Sequence, residues 1–390
     1  MARYKLSEIC KIVSGSTPKT NVPEYWDGEN VWITPAEITD KTFIVYDSQR
    51  KLSKLGVEKT HLSSFPKGTV ILSSRAPIGK VAIAGVEMFC NQGFKNLICS
   101  EKIMNEYLYW FLKGKTKYLN SLGRGATFKE LSAKIIGNIE LEVPSIQEQK
   151  EVVIRLRKID QIIGVFEREV ELLDELIKAR FVEMFGDPVH SEKYGTRKLS
   201  SCVAEKSDMV DGPFGSQVNT KVDYIENGEI PVIRTVNVKM MSFSPTDLKY
   251  MTREKYETVI RSQVLPGDVI LTKVGTIGNV CIFPNAFDEA VLSTTGSCRI
   301  RVDNSVVNTQ FFAYNLMYLK GKLLEIASAG VQPFLNMNHV KNIDILDVSL
   351  EKQKEFADFV KEVDKSRSRI QKSLEASQEL FDSLMQEYFG

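Results

Sequence analysis

Asp268 and Lys273, in the run Asp268-Val-Ile-Leu-Thr-Lys273, come nearest in this sequence to a hydrolytic centre. A metal-dependent nuclease would place a second carboxylate two residues before such a lysine, and that position is Leu271. The corresponding stretch earlier in the chain has Thr69 and Ser74 instead. Asp268 therefore reads as a turn residue. No Gly-x4-Gly-Lys-Ser/Thr loop is present to cradle a nucleotide phosphate. No Asn/Asp-Pro-Pro-aromatic motif and no Gly-x-Gly after a strand mark a methyl-transfer site. The three histidines (His61, His190, His339) are isolated, and the six cysteines include no Cys-x-x-Cys. Neither a zinc site nor a histidine-based catalytic network has ligands to draw on. The expectation is a chain with no catalytic residue, no metal and no cofactor of its own. Cys90, Cys99, Cys281 and Cys298 lie in apolar, β-like runs and read as core thiols of a reducing, cytoplasmic compartment. The N-terminus lacks the apolar stretch of a secretory signal, and no segment is apolar enough to span a membrane.

What the sequence offers is donors gathered in turn-rich segments. The first group is Ser16, Thr17 and Lys19 in Ser14-Gly-Ser-Thr-Pro-Lys-Thr20; Arg75 and Lys80 about a tight turn; and Arg124, Thr127 and Lys129 in Gly123-Arg-Gly-Ala-Thr-Phe-Lys129. The second is Lys221, Arg234, Asn237, Lys239, Lys273 and Gln332. Arg, Lys, Asn and Gln read base edges, while Ser and Thr anchor phosphates. Residues 1–145 hold 20 Lys and Arg against 14 Asp and Glu, net +6, a balance suited to phosphate neutralisation. These fourteen residues are the candidate contacts to double-stranded DNA.

The elements that carry them occur twice. Gly68-Thr-Val-Ile-Leu-Ser-Ser-Arg-Ala-Pro-Ile-Gly-Lys-Val-Ala-Ile83 returns as Gly267-Asp-Val-Ile-Leu-Thr-Lys-Val-Gly-Thr-Ile-Gly-Asn-Val-Cys-Ile282. Gln149-Lys-Glu151 returns as Gln353-Lys-Glu355, and Lys5-Leu-Ser7 as Lys198-Leu-Ser200. Two copies of one unit are implied. Each begins with a mixed α/β part, residues 1–145 and 188–349. Val70-Ile-Leu72 and Val81-Ala-Ile83 read as strands about a tight turn, and Asn105–Leu119 and Asn308–Leu324 as helices. Each ends in a long helix, residues 146–187 and 350–390, with net charges of −3 and −2. The polar loops scarcely match between copies, so two dissimilar reading surfaces sit on one repeated scaffold.

The apolar steps along the first helix alternate four and three: Val152, Leu156, Ile159, Ile163, Phe166, Val170, Leu173 and Ile177. The second helix gives Phe356, Val360, Val363, Ile370, Leu374, Phe381 and Leu384, interrupted by Arg367 and Ser377. About 38 residues at 1.5 Å make a rod of roughly 57 Å, whose stripe needs a partner. An internal two-fold makes the two helices antiparallel, with the C-terminus returning toward the start of the first domain. The alternative is that each helix packs only on its own domain. The fold class is thus α/β (α+β): two pseudo-repeated recognition domains separated by two long antiparallel coiled-coil helices.

Ser14-Gly-Ser-Thr-Pro-Lys-Thr-Asn-Val-Pro-Glu-Tyr-Trp-Asp-Gly-Glu-Asn-Val-Trp-Ile-Thr34 resembles the opening of a target-recognition domain in specificity subunits of type I restriction–modification systems. Gly123-Arg-Gly-Ala-Thr127 and Val143-Pro-Ser-Ile-Gln-Glu-Gln-Lys150 resemble that family's exit into its long helix. Asp211-Gly-Pro-Phe-Gly-Ser216 resembles another opening, and Gly330 with Leu350-Glu-Lys-Gln-Lys354 the same exit, with Lys352 in place of Glu148 and Val348 in place of Pro144. The resemblance implies a non-catalytic DNA-reading subunit whose two domains each read one half of a split, asymmetric site. It also implies two methyltransferase subunits using S-adenosylmethionine, and restriction/translocase subunits using ATP and Mg²⁺, docked on this chain. The acidic helices are poor DNA ligands, and their outer faces suit the protein partners better. Two rival functions are a two-headed scaffold for proteins or glycans, and a stand-alone nuclease or methyltransferase.

Overall fold

A computed structural model describes residues 2–123, 129–190, 193–327 and 333–390. It divides into two compact units, Met1–Arg168 with Gln371–Gly390, and Glu169–Ile370. The division falls inside both long helices, so each unit contains one recognition domain and a stretch of each helix.

The all-apolar runs of the repeat are strands buried on both faces. In the first unit a five-stranded sheet has the order Cys10–Ser14, Lys95–Cys99, Val70–Leu72, Val81–Ala84, Ile44–Val45. All neighbours are antiparallel except the last pair. Successive strand side chains point to opposite faces. Val70, Leu72, Val81 and Ile83 accordingly join one core, and Ile71, Ala82 and Ala84 another. A smaller sheet, Arg50–Leu52, Trp26–Ile33 and Phe89–Cys90, flanks the second core. In the second unit the strands Met209–Asp211, Ser297–Ile300, Val269–Thr272 and Val280–Ile282 form the matching antiparallel sheet. There Val269, Leu271 and Val280 face one core, and Ile270 and Cys281 the other.

Each expected helix after the sheet is two helices. Asn105–Gly114 is followed by Thr116–Leu122, and Thr309–Tyr318 by Lys320–Ile326. The hairpin glycines pack against the start of each second helix. Gly79 has φ +94°, and a Cβ there would lie 2.8 Å from the Thr116 side chain; Gly278, at φ +81°, meets Lys320 at the same distance. Bulk at either hairpin would push away the start of the second helix.

The long helices run Ile146–Phe185 and Leu350–Phe389. Ser145 caps the first through a reciprocal pair with Glu148: the Ser145 backbone N–H and hydroxyl both donate to the Glu148 carboxylate, at 2.8 and 2.7 Å. Those bonds hold the Glu148 carboxyl below its usual range. Lys352 removes this option from the second helix. Gly186, at φ +81°, closes the first helix by donating to Val182 O at 2.8 Å.

The helices run antiparallel within each unit. In the second, Arg180 pairs with Glu355 and Asp174 with Arg367, each at 2.6 Å. In the first, Arg155 donates to the Tyr388 hydroxyl at 3.1 Å. Arg3 and Gly390 line one cleft there, so both ends of the chain meet in that unit.

Pairing is not the whole of the helix packing. The fully buried helix residues belong to the domain cores. Leu156 lies among Tyr107, Leu108 and Leu141; Ile177, Phe356, Val360 and Val363 lie among Val269, Phe311 and Ile345. Ile163 is also buried. Val152, Ile159, Phe166, Val170, Leu173, Ile370, Leu374, Phe381 and Leu384 are only half-buried. The ring of Phe381 packs edge-on to Trp110 of the domain, 5.7 Å between centroids. This corrects the expectation that each apolar stripe, Phe166, Leu173 and Phe381 included, is buried by the partner helix. Two helices cannot enclose a stripe that a sheet and its helices share. Val153, Phe181, Phe185 and Phe389, beside the heptad positions or beyond them, are buried as well, together with the heptad residues Leu156, Ile177, Phe356 and Val360.

Candidate nucleic-acid interface

The polar loops of the first domain converge at one end of its five-stranded sheet. Strand Cys10–Ser14 leaves the sheet at Gly15, where a Cβ would stand 2.2 Å from the carbonyl oxygens of Cys90 and Asn91. Only glycine fits so close an approach. Ser16 N–H donates to Cys90 O at 3.0 Å, and the Trp32 indole to Ser16 O at 3.1 Å. The Thr17 hydroxyl donates to the Gln92 side chain. The Trp26 indole fixes Lys19 through its carbonyl, at 3.2 Å, leaving the ammonium in solvent. The hairpin joins this group through Ser74, whose N–H donates to Gly93 O at 2.7 Å and whose carbonyl accepts from Leu131 N–H at 2.8 Å.

Arg75 is exposed at the hairpin and pairs with Glu130 at 3.2 Å. Lys80 is turned back, its ammonium donating to Pro35 O at 2.9 Å. Lys129 is exposed beside Glu130. Arg124 and Thr127 lie outside the described residues, as does Gln332 of the second domain.

The second domain repeats this frame with other side chains. Gly212 takes the part of Gly15, with Ser293 O 1.6 Å from its would-be Cβ. Lys273 N–H donates to Gly296 O at 2.8 Å, and Leu335 N–H to Lys273 O at 3.0 Å, as at Ser74. Ser73 and Thr272 brace their hairpins alike, accepting from Lys80 N–H at 2.9 Å and Asn279 N–H at 3.1 Å. The bridge Arg75↔Glu130 becomes Val274↔Phe334. An ion pair on one rim is thus an apolar pair on the other, and Phe214 and Phe334 stand exposed there.

Two second-domain candidates are corrected. The Lys273 ammonium is buried against the Asp211 carboxylate, because its strand sits mid-sheet and Asp211 ends a strand two places away. Asn237 is fully buried, donating to Ser244 O at 3.0 Å and Thr246 O at 3.1 Å while accepting from Arg234 N–H at 3.0 Å. Neither reaches a ligand without dismantling a buried pairing. Arg234 is half-buried and bonded to Asp247 at 2.8 Å; Lys249 approaches the same carboxylate at 3.3 Å. These cations, Arg234 first, hold the Asp247 carboxyl below its usual range. Lys221 and Lys239 are exposed.

Asp268 does turn the chain, accepting from Leu265 N–H at 2.7 Å. It is also the buried half of a bidentate pair with Arg301, both bonds 2.8 Å. Thr69 makes the same turn with its hydroxyl on Pro66 O, 2.7 Å, and no ion pair. Cys90, Cys281 and Cys298 are buried, and burial pushes each thiol up to about 12. Among the described residues, no group of three or more His, Cys, Asp or Glu side chains is disposed to hold a metal. No helix among them is long and apolar enough to cross a membrane.

Residue type and turn context missed Lys95, Glu130 and Asp247. Lys95 sits in the run Phe94-Lys-Asn-Leu-Ile-Cys99, which signals a strand and not a contact loop.

One scaffold used twice, with a different loop cluster on each copy and paired long helices, defines a tandem recognition-domain protein. The chain belongs to the type I restriction modification DNA specificity domain family, whose pattern matches residues 1–172 and 211–378. It is 29% identical over 357 residues to the type I restriction enzyme MjaIX specificity subunit of Methanocaldococcus jannaschii, covering 87% of this chain and 81% of that one. It is 27% identical over 178 residues to the EcoR124I/EcoR124II specificity subunit of Escherichia coli, covering 43% and 44%. The fold is similar to the crystal structure of the S subunit from M. genitalium, with a TM-score of 0.58 at 15% identity over 100% of this chain and 96% of that one. A structure from work on type I assembly and conformational transition gives 0.59 at 15% identity, covering 100% and 97%.

Proposed function

We propose that this chain is the non-catalytic, cytoplasmic DNA-reading subunit of a type I restriction–modification complex, and that each domain reads one half of a split, asymmetric site. The observation that carries this is the pairing of a conserved frame with divergent rims. Gly15 and Gly212, Ser73 and Thr272, and the backbone bonds of Ser74 and Lys273 are shared, whereas Arg75 and Glu130 give way to Val274 and Phe334. Identical frames present the loops alike, and different side chains select different bases. Exposed Lys19 and Lys129 in one domain, and Lys221 and Lys239 in the other, supply phosphate contacts. Methyltransferase and restriction/translocase subunits dock on this chain and carry the S-adenosylmethionine, ATP and Mg²⁺ chemistry. The exposed apolar residues Ile154, Ile162 and Val165, and Leu172 and Leu176, support partner docking on the outer face of the first long helix.

Sequencing the modified bases of DNA from cells expressing the chain with its methyltransferase partner tests the reading. The expected motif has two different halves separated by unspecified base pairs. A continuous or palindromic motif overturns it.

A further inference from the structure

We infer that Lys95 is a phosphate anchor of the first domain, seated in the recess it shares with Glu130, Ser132, Lys134 and Asn138, and that its counterpart Lys273 is a structural cation only. The inference rests on the DNA-reading function proposed above and assigns its sequence-independent part to a buried residue.

Both domains bury one lysine at the loop end of the sheet, by different routes. In the first, Lys95 opens a strand and stands opposite Ser14 in register. In the second, the positions in register are Asp211 and Cys298, and the lysine comes from the neighbouring strand as Lys273. Lys95 is 9% exposed and Lys273 3%. Their compensation differs. Lys273 is in direct contact with the Asp211 carboxylate. The Lys95 ammonium makes only long contacts among the described residues: 3.7 Å to Glu130 Oε1 and 3.5 Å to Phe94 O. Charge-assisted bonds of an ammonium are ordinarily about 2.7–2.9 Å. Glu130 is drawn more closely by Arg75, at 3.2 Å.

A buried ammonium is costly unless its donors are filled. Lys273 is filled by the protein, whereas Lys95 lines an open recess together with Ser132 and Lys134. An anionic oxygen entering there would meet Lys95 in the lining. Arg75 and Lys129 flank Glu130 at the rim. The opening loop begins one strand away, at Ser14. A backbone phosphate of DNA lying across these loops has the required charge and oxygens. Its position is set by the sheet, not by a mobile side chain, so Lys95 would position the duplex while the rim reads it.

The test uses the full chain and a mixed-sequence DNA duplex, with affinity measured across a salt series for wild type, Lys95→Met, Lys273→Met and Glu130→Gln, and melting recorded for each. Lys95→Met should weaken binding by about tenfold at low salt and flatten the slope of log affinity against log salt by about 0.9, the loss of one phosphate contact. Glu130→Gln should strengthen binding, since a carboxylate is removed beside the phosphate. Lys273→Met should lower the melting temperature and leave the slope unchanged. A Lys95→Met slope equal to wild type, in a variant that melts normally, overturns the inference and leaves the DNA-reading function standing. Duplex binding by wild type that is absent or independent of salt overturns both.

Discussion

Gln149 and Gln353, 204 positions apart, make the same bridge in the two domains. Gln149 accepts from Met104 N–H at 2.8 Å and donates to Pro144 O at 3.0 Å; Gln353 accepts from Asn308 N–H at 2.7 Å and donates to Val348 O at 2.7 Å. Both are buried. Each fastens the start of a long helix to the start of a domain helix, filling a backbone donor that has no partner within its own helix.

Gln149→Ala and Gln353→Ala should therefore each destabilise the chain by about 1–3 kcal/mol, the cost of stranding buried backbone groups. Hydrogen exchange checks the location. Fast exchange should appear at Met104 in one variant and at Asn308 in the other. Unchanged exchange at both would remove the bridges from the account.

Stability should follow burial depth, which differs among the heptad positions themselves. Phe181 and Phe356 are fully buried with ring centroids 5.3 Å apart. Replacing either by Ala should cost about 3–5 kcal/mol. Phe166→Ala should cost clearly less, because Phe166 is only partly buried. Urea unfolding of the three variants gives the ranking, and an equal loss at Phe166 would contradict it.

Glu289 gives the chain an acid-sensitive contact. The Tyr256 hydroxyl, Arg253 and Gln263 donate to its carboxylate and hold it below the usual carboxyl range. A carboxylate depressed in the folded state stabilises above its unfolded value, about 4.3, and that stability is lost as pH falls through the folded value. Wild type should lose melting temperature more steeply than Glu289→Gln below about pH 4.3. Parallel curves for the two proteins would show that the contact contributes nothing.

Cys10 and Cys99 face each other across two antiparallel strands, and Ser100 N–H bonds to Ile9 O at 2.8 Å. That bond marks the cysteines as a non-hydrogen-bonded pair, where Cα atoms approach to about 4.5 Å and side chains lie closest. The thiols are within hydrogen-bonding reach, which with burial pushes the Cys10 thiol up. The separation suits a disulfide. Diamide should join these two cysteines, with a loss of two hydrogens located by mass spectrometry. A cross-link to any other cysteine would show the register to be wrong.

The repeat was legible because its frame depends on residue types that few others replace: glycine at a close approach or a positive φ, apolar runs between two cores, a glutamine with both a donor and an acceptor to offer. The rims were less legible. Asn237 and Lys273 carry the side chains of contact residues, yet partners distant in sequence draw them inward: Ser244 and Thr246 for one, Asp211 for the other. Lys95 was hidden for the opposite reason, since its apolar neighbours describe the strand and not the recess at its end. The heptad pattern gave the helices, and the repeat their antiparallel sense, but the pattern found only some of the anchors, Leu156, Ile177, Phe356, Val360 and Val363. Phe181, Phe185 and Phe389 bury against domain residues that helical spacing does not register.

The first unit takes its last twenty residues from the far end of the chain, 371–390, and with them Phe389, whose ring packs on Tyr107 and Phe111. During synthesis that unit is the first begun and the last finished. The ribosome must deliver the whole second unit before the missing helix emerges, roughly 10–40 s later at about 5–20 residues per second. For that interval Tyr107, Phe111 and Trp110 lack the Phe389 and Phe381 rings that pack on them, and the nascent chain carries an uncovered apolar surface. A chain stopped within the second unit would leave that surface without its Phe381 and Phe389 cover. Closure of the first unit is thus tied to residues made after the whole of the second.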